Sequence, residues 1–170
     1  MNKYIYTNEI YFAKTKPQAI IPSKREEDGC LDLYACFDED EFIIYPHTVS
    51  LIPTGIASAF SPDYRIAFRE RGSNTKSVLQ VMAGQIDSGF RGEWFVALYN
   101  ANDCCVKISK KADKINKVKV NNKYDVLYVP YSKAICQFAI EKVPTMEIKE
   151  ITYDEITSFK SERGTGMLGS

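Results

Sequence analysis

Runs of four to six residues rich in isoleucine, valine, tyrosine and phenylalanine recur along this chain, at 41–45, 50–53, 64–68, 94–99 and 135–140. Each is too short for a three-turn helix, and branched or aromatic side chains pack well on a pleated surface, so the runs are predicted to be strands. Between them fall Pro46, Pro53-Thr54-Gly55, Ser61-Pro62-Asp63, Asn74 and Gly89. Punctuation at that spacing belongs to the turns of an all-β sandwich or barrel. One short helix is expected at 73–79, with Ser73 or Asn74 as its N-cap. With 170 residues, 45% of them hydrophobic, such strands can close one core but not two. The expected organisation is one β domain over 1–160 and a glycine-bearing tail over 161–170 without periodicity.

Twenty-two basic residues balance 22 acidic ones, so no overall field draws the chain to nucleic acid or to an anionic membrane. Any anion site must be local. No apolar run approaches the ~18 residues of a membrane span. Met1-Asn2-Lys3-Tyr4-Ile5-Tyr6 has no basic stretch followed by an apolar segment, which points to the cytoplasm. Five cysteines, an odd number without C-x-x-C spacing, read as reduced and mostly buried thiols. The single histidine, His47, lies between two apolar runs and reads as a turn or strand-edge residue. Triads and multi-histidine metal sites need imidazoles that this chain lacks, so catalysis has to rest on carboxylates. The stretch 107–123, dense in lysine and asparagine, reads as a hairpin excursion with a solvated face; a basic docking surface is the other reading.

The segment Gly84-Gln85-Ile86-Asp87-Ser88-Gly89-Phe90-Arg91-Gly92-Glu93-Trp94 carries the most chemistry. It reads as a strand end, a tight glycine-containing turn and a second strand, with Asp87 and Phe90 three residues apart. Such a hairpin can recognise a planar base through main-chain N–H and C=O groups, while Phe90 lies against a sugar and leaves no space for an extra hydroxyl. Asp87 could then act as general base on a water in line with a phosphorus atom. Taken alone, an ordinary hairpin with a surface carboxylate explains the segment equally well.

Five segments, in order, resemble the motifs of the trimeric dUTPase family. Gly29-Cys30-Leu31-Asp32-Leu33-Tyr34-Ala35 resembles the first, A-G-x-D-L-x-A, with Cys30 in place of glycine. By that resemblance Asp32 touches a magnesium ion through water, the ion being held mainly by the triphosphate. Arg71-Gly72-Ser73-Asn74 resembles the second motif, R-S-G or R-S-S, whose arginine fork and hydroxyl suit phosphate oxygens. The hairpin fits the third, G-x-I-D-x-x-Y-R-G, with Phe90 in place of tyrosine. It adds Gly84, Gln85, Ile86 and Phe90, with Phe95 just beyond, to the implied substrate-binding residues. Ser132-Lys133-Ala134-Ile135-Cys136-Gln137 keeps the Ile-x-Gln end of the fourth, and Gln137 is implied to hold an α-phosphate oxygen. Arg163-Gly164-Thr165-Gly166-Met167-Leu168-Gly169-Ser170 resembles the fifth. There Arg163 would neutralise the γ-phosphate, glycines including Gly169 would wrap the polyphosphate, and Leu168 would cover the uracil in place of phenylalanine. Ile52-Pro53-Thr54-Gly55-Ile56-Ala57 resembles a further family stretch and reads as scaffold.

The resemblance implies a distorted jelly-roll β-barrel with one short helix, assembled as a homotrimer with shared active sites. The implied reaction is magnesium-dependent hydrolysis of dUTP to dUMP and pyrophosphate, with Asp87 deprotonating the attacking water. Two rivals stand beside it. Asp87-Ser88-Gly89-Phe90 also resembles the D-P-G-F turn of dCTP deaminases, but Ala97 occupies the place of the glutamate that family needs. The changes at Gly72, Ala134 and Leu168 would suit a regulatory module that binds a protein partner with little turnover.

Overall fold

The computed structural model describes residues 7–120 and 124–166. Within them the chain is almost entirely strand and turn. One four-stranded sheet sets β2 (Leu31–Tyr34) beside β13 (Ala134–Lys142), then β6 (Tyr64–Arg69) and β8 (Gln85–Ile86). A second has the order β11 (Asn116–Val120), β12 (Tyr124–Pro130), β10 (Cys105–Ser109), β3 (Glu41–Ile44). A three-stranded sheet pairs β4 (Val49–Pro53) and β7 (Leu79–Met82) on either side of β9 (Phe95–Asn100). The fourth is a two-stranded pair of β1 (Ile10–Lys14) with β5 (Ile56–Phe60). Every pairing is antiparallel except β10 with β12, which run parallel.

Alternation along the strands separates inside from outside. In the three-stranded sheet, Ile52, Val96, Leu98 and Leu79 point inward and are buried. The opposite face carries Val49, Leu51, Met82 and Phe95, all exposed. At the centre of the core Trp94 meets Phe12, Phe68 and Phe138 with ring centroids 5.7, 5.7 and 5.3 Å away, mostly edge-on, the arrangement favoured by ring quadrupoles. Asn100 is fully buried; its amide donates to the Ile44 and Cys104 carbonyls, and its oxygen accepts from Asn102. A polar group so completely bonded fixes the β9–β10 connection without a desolvation penalty.

All five runs expected as strands are strands. Three expectations need correction. The helix at 73–79 is one turn, α1 (Asn74–Ser77); Ser73 already has helical angles and makes no side-chain cap, and Val78 ends the turn at φ 51°. A second helix, α2 (Tyr153–Ser158), was not anticipated. It is set by a capping box in which the Thr152 hydroxyl accepts from the Glu155 amide and the Glu155 carboxylate accepts from the Thr152 amide. No α2 residue is buried, so apolar periodicity gave no signal. Nor is 107–123 a single excursion. Lys107 to Ser109 belong to β10, an interior strand in which Ile108 is fully buried, and only β11 forms a lysine-bearing edge. Lys123 lies outside the described residues. His47 sits in the β3–β4 turn at φ 54°, and Cys36, Cys104 and Cys136 are buried free thiols.

Candidate functional site

Asp32 on β2 stands directly opposite Gln137 on β13, and Gln137 is also opposite Arg69 on β6. Cross-strand partners share a face, so this register brings the first and fourth motifs together. Arg71, two residues past the end of β6, reaches back to the same point. Its guanidinium grips Asp32 with both prongs, Nε to Oδ1 at 2.8 Å and Nη2 to Oδ2 at 3.0 Å, both side chains being roughly a quarter exposed. Its Nη1 also reaches the Ser73 hydroxyl at 3.5 Å. Gln137 donates through Nε2 to the Glu70 carbonyl at 2.9 Å. Asp32, Arg71 and Gln137 line a polar groove of 740 Å³ that also takes in Lys24, Arg25 and Asp28. Behind Asp32, burial pushes the Cys136 thiol up, with the Asp32 charge acting in the same direction, so this cysteine stays protonated and inert.

The hairpin of the third motif is built separately. Gly84 lies against β6: its carbonyl accepts from the Phe68 amide at 2.6 Å, and a Cβ at Gly84 would stand 3.0 Å from the Phe68 oxygen. Gln85 and Ile86 pair with Ala67 and Ile66. The turn closes through the Phe90 amide donating to the Asp87 carbonyl at 3.1 Å, and Arg91 donates to the Ser88 and Phe90 carbonyls. The Phe90 ring lies over Gly92, where a Cβ would come within 2.7 Å of the ring. Asp87 is exposed and accepts from Gln85 Nε2 at 2.8 Å. Neither Asp87 nor Phe90 lines the groove of Asp32 and Arg71.

The remaining sequence-selected residues divide. Gly72 is exposed at the turn after Arg71, and an added Cβ there would meet nothing. Asn74, grouped with the substrate contacts, is buried and spends its amide on the Leu79 and Ile135 carbonyls, so it positions the Arg71 turn against β13. Phe95 lies on the exposed outer face of β9, beside Pro53. Arg163 folds over its own turn, Nε to the Gly166 carbonyl at 2.9 Å. Leu168 and Gly169 lie outside the described residues. Glu93 escaped the sequence reading. It accepts from the Gly55 amide at 2.9 Å and the Thr15 hydroxyl at 3.0 Å, tying the hairpin's exit to the β4–β5 turn. Its place between Gly92 and Trp94, beside the third motif, was the available signal.

A family model described as dUTPase matches residues 16–134, which contain the hairpin and every lining residue of the groove except Gln137. The chain belongs to the dUTPase family. Among similar proteins, the deoxyuridine 5'-triphosphate nucleotidohydrolase of Picosynechococcus is 30% identical over 161 residues, 92% of this chain and 94% of that one. The enzyme of that name from Leptospira interrogans is 31% identical over 99 residues, 56% of this chain and 68% of the relative. Among solved structures, the dUTPase of Staphylococcus bacteriophage 80alpha with dUPNHPP superposes with a TM-score of 0.72 at 20% identity, covering 96% of this chain and 98% of that one. A dUTPase variant of phage phi11 of S. aureus, described for its coordination of a structural Mg(II) ion, gives 0.66 at 17% identity, covering 87% and 99%. At such identities the likeness establishes the jelly-roll-like dUTPase fold.

Proposed function

We propose that this dUTPase-family chain hydrolyses dUTP to dUMP and pyrophosphate in the cytoplasm, at sites assembled between copies of itself in a homotrimer. The observation that carries the reading is the meeting of Asp32, Arg71 and Gln137 in one groove, drawn from three motifs far apart in sequence. Arg71 and Gln137 supply a charged fork and a neutral amide donor for phosphate oxygens. Facing them, the hairpin of another copy brings Asp87 and Phe90. Asp87 takes a proton from water, the water oxygen bonds to the α-phosphorus, and the bond from that phosphorus to the bridging oxygen breaks, releasing pyrophosphate. Positioning and charge stabilisation do most of this work.

Among the described residues no three carboxylate, thiol or imidazole groups converge as a metal cage. Two carboxylates line the groove, Asp28 paired with Arg25 and Asp32 with Arg71, and so sparse a set fits a hard cation that arrives on the triphosphate and keeps much of its water. Bound magnesium would neutralise phosphate charge; Asp32 would face it through water, and Arg71, once released by Asp32, would be free to meet the phosphates.

The trimer has two supports on this chain. Val49, Leu51, Met82 and Phe95 make an apolar outer row on the three-stranded sheet, of the kind that a partner covers. Beyond Val143, whose amide donates to Asp63, residues 144–165 are exposed throughout, with Met146, Ile148, Tyr153, Ile156 and Phe159 uncovered. Such an arm fits against neighbouring copies, and brings Arg163 and the following residues, Leu168 and Gly169 included, to a neighbour's site as its closing tail.

The test is pyrophosphate release from a panel of nucleoside triphosphates with magnesium. Release from dUTP, and little from dTTP or UTP, is expected. Equal cleavage of dTTP defeats the tight-hairpin account of base choice, and nucleotide binding without release favours a regulatory, protein-binding module.

A further inference from the structure

We propose that Lys24 is a further binding residue for the polyphosphate, holding its pyrophosphate end at the rim of the groove. The inference rests on the dUTP-hydrolysing reading of that groove. Ser23 forms an isolated bridge to Asp32, the Asp32 amide donating to the Ser23 carbonyl at 2.9 Å. Pro22 is buried. The backbone of Lys24 is therefore held next to the residue bridged to Asp32, and Lys24 lines the same groove as Arg71 and Gln137.

Charge pairing singles this residue out. Arg71 is engaged by Asp32 at 2.8 Å, and Arg25 by Asp28 at 2.9 Å, where the guanidinium beside it holds the Asp28 carboxyl below its usual range. Lys24 Nζ donates to main-chain carbonyls, of Arg25 at 3.3 Å and Glu26 at 3.1 Å, and makes no direct ion pair among the described residues; the Asp28 charge, gripped by Arg25, acts on it only through space. Of the three cations lining the groove it is the one in no direct ion pair, so it can meet phosphate without first releasing a carboxylate, as Arg71 must release Asp32. A triphosphate keeps net negative charge even with magnesium on it, and the cleavage frees more at the departing pyrophosphate. An ammonium on a flexible stem, with two long bonds to exchange, can follow that group from substrate to product.

Calorimetric titration of the full chain with pyrophosphate plus magnesium, and separately with dUMP, tests this. Lys24→Ala is expected to weaken pyrophosphate about tenfold, the scale of one solvent-screened charged hydrogen bond, and dUMP by less than about twofold. Lys24→Arg should restore most of the pyrophosphate affinity, and the difference between wild type and Lys24→Ala should shrink as salt rises. Pyrophosphate affinity unchanged in Lys24→Ala, or an equal loss for both ligands, overturns the role of Lys24 while leaving the groove's assignment standing. A wild-type chain that takes up neither ligand overturns both.

Discussion

At Gly55 the backbone turns at φ +68°, and an added Cβ would stand 2.6 Å from Ala19 Cβ and 2.9 Å from Cys36 Sγ. Its amide is held by Glu93 and its carbonyl accepts from the Thr15 amide at 2.8 Å, so the chain cannot easily move aside. Gly55→Ala should therefore destabilise the protein by about 2–4 kcal/mol, from left-handed strain plus overpacking, read as a lower urea midpoint at unchanged slope. Asp87 is the opposite case, exposed and with its carboxylate bonded only to Gln85 among the described residues, so its substitution is expected to leave folding intact. Asp87→Asn should lower turnover about 10²-fold or more while nucleotide affinity stays near wild type, measured by pyrophosphate release and equilibrium titration. Both residues are legible as turn residues from Pro53-Thr54-Gly55 and Asp87-Ser88-Gly89. What surrounds them is not, because Ala19 and Cys36 reach Gly55 through tertiary packing that no local pattern encodes.

Legibility at the level of elements follows burial. Strands with one buried and one outer face, such as β6 and β9, alternate clearly. β10 was hidden inside a lysine-rich stretch because Lys107 faces outward between the buried Val106 and Ile108, and pairs with Glu41 at 2.7 Å. The groove residues were picked out by their resemblance to family motifs, yet their meeting depends on the Asp32–Gln137 register, which comes from strand order. The helix α2 was readable only from its capping box. Thr152→Ala should remove about 1 kcal/mol from that helix and speed amide exchange over 153–158. Since α2 is buried against nothing in the chain, the barrel's own unfolding midpoint should not shift in a monomeric preparation.

For the molecule as a whole, the apolar outer row and the uncovered arm are the features on which the proposed trimer depends. Leu51, opposite Ala97 in the register and the most exposed member of its row at 62%, is the point at which to test it. Leu51→Glu is expected to convert trimers to monomers in sedimentation runs, with dUTP hydrolysis lost as the half-sites separate, because a carboxylate cannot be buried unpaired. Acid sensitivity is a second whole-molecule property. Arg69 and Arg65 both donate to Glu141 across the β6–β13 pair and hold its carboxyl below the ordinary carboxylate range. Asp28, Asp38 and Asp40 are lowered likewise by Arg25, Lys16 and Lys111. A lowered native value means stabilisation that is complete above the unfolded pKa and disappears as pH falls through the native one. Glu141→Gln should thus be less stable than wild type near about pH 6 and indistinguishable from it near about pH 2, followed by urea midpoints across that range.

The pairing of β2 with β13 joins a strand made early in synthesis to one made late. While the chain is still emerging from the ribosome, Asp32 has no Gln137 opposite it, and the shelf on which Arg71 rests is open on one side. A polypeptide arrested before β13 thus has every residue of the first three motifs and still lacks one wall of the groove, so on the proposed reading it should not retain nucleotide.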